Sequence, residues 1–343
     1  MIPTILSIFL DLKCNFRCAH CSVSSAPEVS LRMPRVVLDR SLDSAKELGT
    51  IGVVVFTGGE PTLHMADLEY GIRKSHEMGL LTRVVTNAYW ARSKDSASSM
   101  VSRLKEAGLD EINTSYDDYH AEFMPVENVY RFVEASLAQN LRVAVATIVD
   151  NWSKHSSKSV IAGTAEYLGL SSEELAQRVI FLEDKPSATG RGRLFTDQPG
   201  RLPASERAND KIGCKQIGKT LAVHPEGSVH LCCGHAAFDT DGLSVGNVMN
   251  TSFASMVQAA RANLLFWWIH MRGTRGILSA VGDTRHYSSM CEACLHIFSD
   301  KKKEVLNFIA ANKSQILLND VLLSQDPIIV LNELLPPPAS LPS

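Results

Sequence analysis

No stretch of this 343-residue chain is apolar for long enough to cross a bilayer. The run Ile5 to Leu10 is stopped by Asp11, and Leu264 to Met271 is also far too short. The N-terminus, Met1-Ile2-Pro3-Thr4, lacks the basic region of a signal peptide, so a cytoplasmic location is the expectation. An excess of one charge is missing too: 34 basic and 37 acidic residues leave a formal net charge of -3. That balance creates no global field toward nucleic acid or an anionic membrane, and neither is expected as a partner. A hydrophobic fraction of 45% with 21% charged residues excludes a disordered chain, a collagen-like fibre and a disulfide-dense miniprotein.

Cysteine is what the chain does have, eight times over. In a reducing compartment, clustered thiols point to metal binding or catalysis rather than to disulfides.

Apolar, β-branched runs at Thr4–Leu12, Gly52–Phe56, Thr82–Val85, Glu111–Ser115, Arg142–Val149 and Val179–Leu182 read as strands. Between them lie helical spacings such as Leu38, Leu42, Ala45, Leu48 and Met100, Val101, Leu104, Ala107. Gly49, Gly79 and Gly108 close helices in the left-handed region, and Asn140 takes that part before the fifth strand. Strand–helix alternation of this kind predicts parallel βα units. Six strands suit a partial (β/α)6 TIM-like barrel, with an open doubly wound sheet as the competing architecture. In both, the loops after the strand C-terminal ends carry the chemistry. The composition shifts near Ser187–Asp210, read as the barrel's exit. Lys211 to Cys294 holds five of the cysteines and shows little helical regularity. After Ser299 a helix returns, with Val305, Phe308, Ile309 and Leu317 on a packed face. The Pro-rich tail from Leu335 reads as extended or frayed.

Cys14, Cys18 and Cys21 form C-x3-C-x2-C directly after the first strand. Three thiolates on one tight loop can hold three corners of a cubane and leave one iron without a protein ligand. Structural zinc closes all four positions and favours paired ligands, which this motif lacks. The second strand runs into Thr57-Gly58-Gly59-Glu60-Pro61. Its glycines admit a ligand close to the backbone, and Glu60 offers a carboxylate to an ammonium.

These motifs, Cys14-Asn-Phe-Arg-Cys18-Ala-His-Cys21 and Gly58-Gly59-Glu60-Pro61, resemble the radical S-adenosylmethionine (radical SAM) family over roughly residues 4 to 200. The resemblance implies a 4Fe-4S cluster that binds SAM through its open iron. It implies reductive cleavage to methionine and a 5′-deoxyadenosyl radical, which abstracts a substrate hydrogen. His20 stands where the family usually has Tyr or Phe, and its planar ring still suits packing near adenine. By the same resemblance Thr86, Asn87 and Ser115, at the ends of the third and fourth strands, contact SAM. Ordinary loop capping is the alternative for each.

A second set follows: Cys214, then Gly227, Cys232 and Cys233, and later Cys291-Glu-Ala-Cys294. A four-cysteine zinc site is one reading of these spacings. The C-x(9–15)-G-x4-C opening resembles a SPASM or twitch extension, with Pro225-Glu226-Gly227-Ser228 as a turn between two strands. That resemblance implies one auxiliary 4Fe-4S cluster on Cys214, Cys232, Cys291 and Cys294, with Cys233 either spare or in place of Cys232. The expected fold class is therefore α/β, a partial (β/α)6 TIM-like barrel with a C-terminal cysteine-rich iron-sulfur extension. Its division is a barrel over residues 1–205, a cluster domain over 206–299, and a helical segment and tail over 300–343.

Asp117, Tyr119 and His120 lie at the expected active-site rim, where they could orient substrate or move a proton. An N-cap with surface tyrosines is the competing reading. Gly190-Arg191-Gly192-Arg193 offers forked donors to a carboxylate or phosphate, against a solvated linker. Trp267-Trp268 should fill a core, and Lys301-Lys302-Lys303 a solvated face.

The expected activity is radical modification of a ribosomally made peptide, by cross-linking, epimerisation or oxidation. The auxiliary cluster would accept an electron and so favour net oxidation. A sugar, nucleotide or amino-acid derivative is the second substrate class, and a non-catalytic iron-sulfur or zinc-binding regulator the reading from another class. The expected partners are a reductant such as flavodoxin or ferredoxin and the peptide or small-molecule substrate. Strand one begins almost at once, so a peptide is expected to need a separate leader-peptide-binding protein or to bind the cluster domain directly.

Overall fold

A computed structural model describes residues 1–202 and 212–321. The expected boundary at 205/206 and the tail from Leu335 lie outside these residues. In chain order the barrel region runs β1 (Ile5–Asp11), α1 (Arg35–Leu48), β2 (Val53–Gly58), α2 (Met65–Glu77), β3 (Leu81–Val85), α3 (Lys94–Glu106) and β4 (Glu111–Ser115). It continues α4 (Asp118–Ala121), α5 (Glu127–Ala138), β5 (Arg142–Ile148), α6 (Ser157–Leu168), α7 (Ser172–Ala176) and β6 (Val179–Asp184). Each strand sits where an apolar run predicts it. Gly49, Gly79, Gly108 and Asn140 all adopt positive φ between helix and strand.

The strands form one sheet in the order β6-β5-β4-β3-β2-β1-β7-β8-β9, where β7 is Thr220–Val223, β8 Ser228–His230 and β9 Ser244–Asn247. β1 to β6 are parallel and follow one another without reversal. A doubly wound sheet would invert its order at a switch point, so that alternative falls. The winding is that of (β/α) units laid side by side, and β6 has one strand neighbour among the described residues. On the other side β7 pairs parallel with β1, Ile5 opposite Thr220 and Ile8 opposite Val223. The cysteine-rich extension thus continues the parallel sheet of the first six strands.

The two faces of the sheet differ in use. Leu6, Ile8, Val54, Phe56, Val84 and Ile112 are sealed against the helices, with no more than 0% of their surface exposed. The alternate residues Ser7, Phe9, Val55, Thr57 and Val85 line a cavity of about 600 Å³. Period-two alternation therefore separates core from chamber along each strand.

The extension is more helical than its sequence suggests. Helices span Phe253–Arg261, Leu264–Ala280 and Met290–Phe298. The second is apolar around its whole start, Leu264 to Ile269 being buried, so it shows no amphipathic period. Trp267 and Trp268 do fill a core. Trp268 stacks on Phe308 at 5.6 Å and donates from its indole to Asp320 at 2.8 Å. Val305 is buried on the last long helix, Lys302–Ile316, with Phe308, Ile309 and Leu317 packed against the core. No described helix is long and apolar enough to cross a membrane.

Candidate active site

The loop after β1 carries Cys14, Cys18 and Cys21 across the top of the cavity, and all three line it. The loop is pinned from two sides. From β2, Gly59 N donates to Asp11 O and Glu60 N to Lys13 O at 2.9 Å. A Cβ on Gly59 would fall 1.9 Å from Lys13 O, and one on Gly58 2.1 Å from Asp11 O. Only glycine permits that approach. From the far side, Arg191 N and Arg191 Nε donate to Cys21 O and Cys18 O, both at 3.0 Å. The Gly190–Phe195 segment is therefore packed on the cysteine loop and is no solvated linker. Nothing local in the sequence signals this, because the partner lies more than 160 residues away.

Burial pushes the Cys14 thiol up to about 12, only partly offset by the Phe16 N–H, and the Glu60 charge adds to the rise. Burial raises Cys18 as well, with the neighbouring Cys14 and Cys21 contributing. Phe16 N and Asn87 Nδ2 already point at Cys14 Sγ, at 3.4 and 3.7 Å. Crowded soft donors that repel one another as thiolates, with N–H dipoles aimed at sulfur, suit an iron-sulfur cluster. The donor set thus fits the group that the resemblance implies.

Around this loop the cavity wall includes His20, Gly58, Gly59, Thr86, Asn87, Ser115 and His120. Glu60 lies behind it. Its Oε1 accepts from Thr62 N at 3.1 Å, from the Thr62 hydroxyl and from Thr86 Oγ1 at 2.7 Å. Its Oε2 accepts from Asn87 N at 2.7 Å. Burial raises its pKa against these donors. Glu60 thus ties β2's turn to the end of β3.

Asp117 is also behind the wall. It caps α4, accepting from Tyr119 N at 3.0 Å and His120 N at 3.1 Å. It takes Ile148 N at 3.2 Å and His120 Nδ1 at 2.8 Å. Burial works to raise this carboxyl, but the His120 charge, the hydrogen bonds and His20 hold it at about 2. His20 lies 3.9 Å from the Asp117 carboxylate and 4.6 Å, ring to ring, from Tyr119. Burial lowers His20 to about 4, with Asp117 opposing. Tyr119 turns to a separate outer groove, where its hydroxyl donates to Asp150 at 2.7 Å and Arg201 pairs with Asp150 at 2.8 Å.

The second cysteine set gathers from three elements. Cys214 N is held by Ile269 O at 3.0 Å. Cys232 follows β8, and Cys291 and Cys294 share one helix at a three-residue spacing that puts both on one face. A Cβ on Gly234 would fall 3.0 Å from Cys232 Sγ and 3.2 Å from Cys291 Sγ, so the two sulfurs flank that glycine. Burial pushes Cys291 up to about 11, and raises Cys232 and Cys294 with added repulsion from Cys214 and Cys291. The turn over Pro225-Glu226-Gly227-Ser228 joins β7 to β8, with Gly227 N on His224 O at 2.9 Å.

Cys233 differs from its neighbour. It is exposed, and what it meets is the cavity, which it lines with Thr220 and Arg83. Strand alternation was the available signal, since adjacent residues leaving β8 point to opposite sides.

Comparison with known proteins bears on this geometry. Residues 12–148 match the Radical SAM superfamily and residues 214–295 the SPASM iron-sulfur cluster-binding domain. A protein of Bacillus subtilis (strain 168) named for peptide biosynthesis, YydG, is 24% identical over 317 residues, 88% of this chain and 94% of its own. A GTP 3',8-cyclase of Clostridium perfringens is 30% identical over 155 residues, 42% of this chain and 46% of that one. Among solved structures, BtrN in complex with AdoMet and 2-DOIA superposes with a TM-score of 0.48 at 16% identity, over 80% of this chain and 89% of that one.

Proposed function

This chain belongs to the radical SAM superfamily and carries a SPASM iron-sulfur domain, and on that premise we propose that it epimerises residues of a ribosomally made peptide. A relative named for peptide biosynthesis, matched over nearly the full length of both chains, supports the substrate class. The observation that carries the reaction is that Cys233, and not its neighbour Cys232, lines the same cavity as Cys14, Cys18 and Cys21; in this reading Cys233 is spare to both cluster sets.

In this reading Cys14, Cys18 and Cys21 hold the SAM-binding 4Fe-4S cluster, and Cys214, Cys232, Cys291 and Cys294 the auxiliary one. When bound, the first cluster with SAM supplies hydrogen-atom abstraction from the substrate. His20, Gly58, Gly59, Thr86, Asn87 and Ser115 form the wall that holds SAM, with Glu60 bracing the turn. His120 donates Nδ1–H to Asp117, which leaves Nε2 as its free nitrogen for a proton at the cavity wall. Tyr119, on the outer groove, braces Asp150.

Cys233 acts on the peptide Cα after its hydrogen has gone. The Cys233 S–H bond breaks and a new Cα–H bond forms on the opposite face. The sulfur then regains a hydrogen from one proton of solvent and one electron of a low-potential donor, flavodoxin or ferredoxin. The domain division at 205/206 and 299/300 belongs to the same proposal.

The test is an anaerobic reaction of reconstituted enzyme with a peptide encoded beside it, run in D2O. The expected product has the mass of the substrate plus one deuterium for each D-residue. Cys233→Ser should still release 5′-deoxyadenosine and make no D-residue. An unchanged product from that variant defeats the Cys233 role, and a product short of two hydrogens supports net oxidation instead. Absence of 5′-deoxyadenosine from the wild type would defeat the enzyme reading as a whole.

A further inference from the structure

Arg191 stands out among the half-buried groups that this chemistry does not yet use. It sits at the start of the Gly190–Phe195 turn after β6. Gly190 has φ +53, and a Cβ there would fall 2.4 Å from Ser22 O and 2.5 Å from Cys21 O. Gly192 has the same constraint against Ser187 O, at 2.1 Å. Gly190 thus brings the arginine backbone into contact with the cysteine loop, and Gly192 lets the turn close on Ser187. Asp239 secures the turn from outside, accepting from Gly190 N at 2.8 Å and pairing with Arg193 at 2.9 Å.

The Arg191 side chain folds under that loop. Nε is spent on Cys18 O. Nη2 is buried and has no hydrogen-bond partner among the described residues. A guanidinium keeps its charge in a protein and carries donors in a fixed fork. A buried, unspent nitrogen of that fork calls for an anion or a sulfur acceptor beside it. Three cysteine thiolates with their cluster are the anionic group that the same loop would hold.

We infer that Arg191 is a positioning residue for the first iron-sulfur centre, its Nη2 donating to sulfur and its charge favouring the reduced state. The inference rests on Cys14, Cys18 and Cys21 being the cluster ligands. A fixed positive charge stabilises the more negative reduced cluster, so its removal lowers the midpoint potential. A purely structural arginine would change iron retention and melting temperature, and leave the potential of any loaded cluster where it was.

The experiment is an anaerobic redox titration of the reconstituted full chain by electron paramagnetic resonance. Only the signal that responds to added SAM is counted, which separates it from the auxiliary centre. Arg191→Gln should cut the reduced-to-oxidised ratio at a fixed potential about tenfold, which is about 59 mV for a one-electron couple. Arg191→Lys, which keeps the charge, should stay within about threefold of wild type on the same scale. A loaded Arg191→Gln that titrates like wild type overturns the inference, as does an Arg191→Lys that shifts as far as Arg191→Gln. If Arg191→Gln holds no iron, Arg191→Lys decides. Full loading at the wild-type potential supports the charge role, and a folded but iron-free Arg191→Lys overturns it. A wild-type protein without any SAM-responsive signal fails the family reading instead, a distinct result.

Discussion

Replacing Gly59 with Ala should damage the first cysteine loop more than its size suggests. The new methyl would sit 1.9 Å from Lys13 O, 2.4 Å from Lys13 C and 2.9 Å from Leu12 C. All three are backbone atoms, so no rotamer relieves the contact. Restoring ordinary separation requires the β2 turn and the loop to part by roughly 1.5 Å. That movement breaks the Gly59 N bond to Asp11 O and the Glu60 N bond to Lys13 O. Leaving such buried groups unpaired costs about 1–3 kcal/mol each. The lower unfolded-state entropy of Ala returns about 0.4–1 kcal/mol. The net loss is about 1–5 kcal/mol, or a fall in Tm of roughly 2–7 °C for a chain of this length. Gly49→Ala is the control. It has φ +72 and nothing within 4 Å, so it should cost about 1 kcal/mol and spare the iron. Circular dichroism melts of the metal-free proteins and iron analysis after reconstitution read the two effects. Metal sites tolerate ligand shifts of only about 0.2 Å, so Gly59→Ala should retain little beyond the auxiliary iron. A Gly59→Ala protein with wild-type Tm and wild-type iron would refute the clamp.

Two further outcomes follow from the site. Cys291→Ala should lower bound iron by about half while leaving the SAM-dependent signal, since a second cubane would be lost alone; an unchanged iron count contradicts the assignment. Asp117 is depressed from an ordinary 3.8 to about 2, so its carboxylate stabilises the fold above about pH 4 and loses that contribution as pH falls through 2. The difference amounts to about 2 kcal/mol. The stability gap between wild type and Asp117→Asn should therefore be flat above pH 4 and shrink toward pH 2; a gap independent of pH in that window rejects the carboxylate's role.

The six parallel strands were legible because each is a short apolar run, and four of them, β2 to β5, follow a helix-ending glycine or asparagine. The cysteine loop and the Gly58-Gly59 turn were legible because their spacing is local. The helix at Leu264–Ala280 was not, since its start is buried on every side and carries no polar stripe; Phe253–Arg261 was overlooked although Phe253, Met256, Val257 and Ala260 form a buried face opposite exposed Ala254, Ser255 and Gln258. The attachment of Arg191 to Cys18 and Cys21 was hidden for another reason: it is a tertiary contact between a polar-looking segment and a distant loop. Glu60 was picked out as a carboxylate for an ammonium and Asp117 for orienting substrate or moving a proton, and both lie buried behind the cavity wall. Their saturation by four donors each could be seen only once the chain had folded around them.

The pairing of β1 with β7 bears on how this molecule is made. Ile5 and its neighbour Thr220 lie more than two hundred residues apart in the chain, so β1 is synthesised well before its partner. Until then β1 is a one-sided strand, and the thiols that follow it hang from an unfinished edge. Iron insertion into the first loop is therefore expected to wait until β7 has been made, and a ribosome stalled before β7 would expose a sticky, oxidisable intermediate.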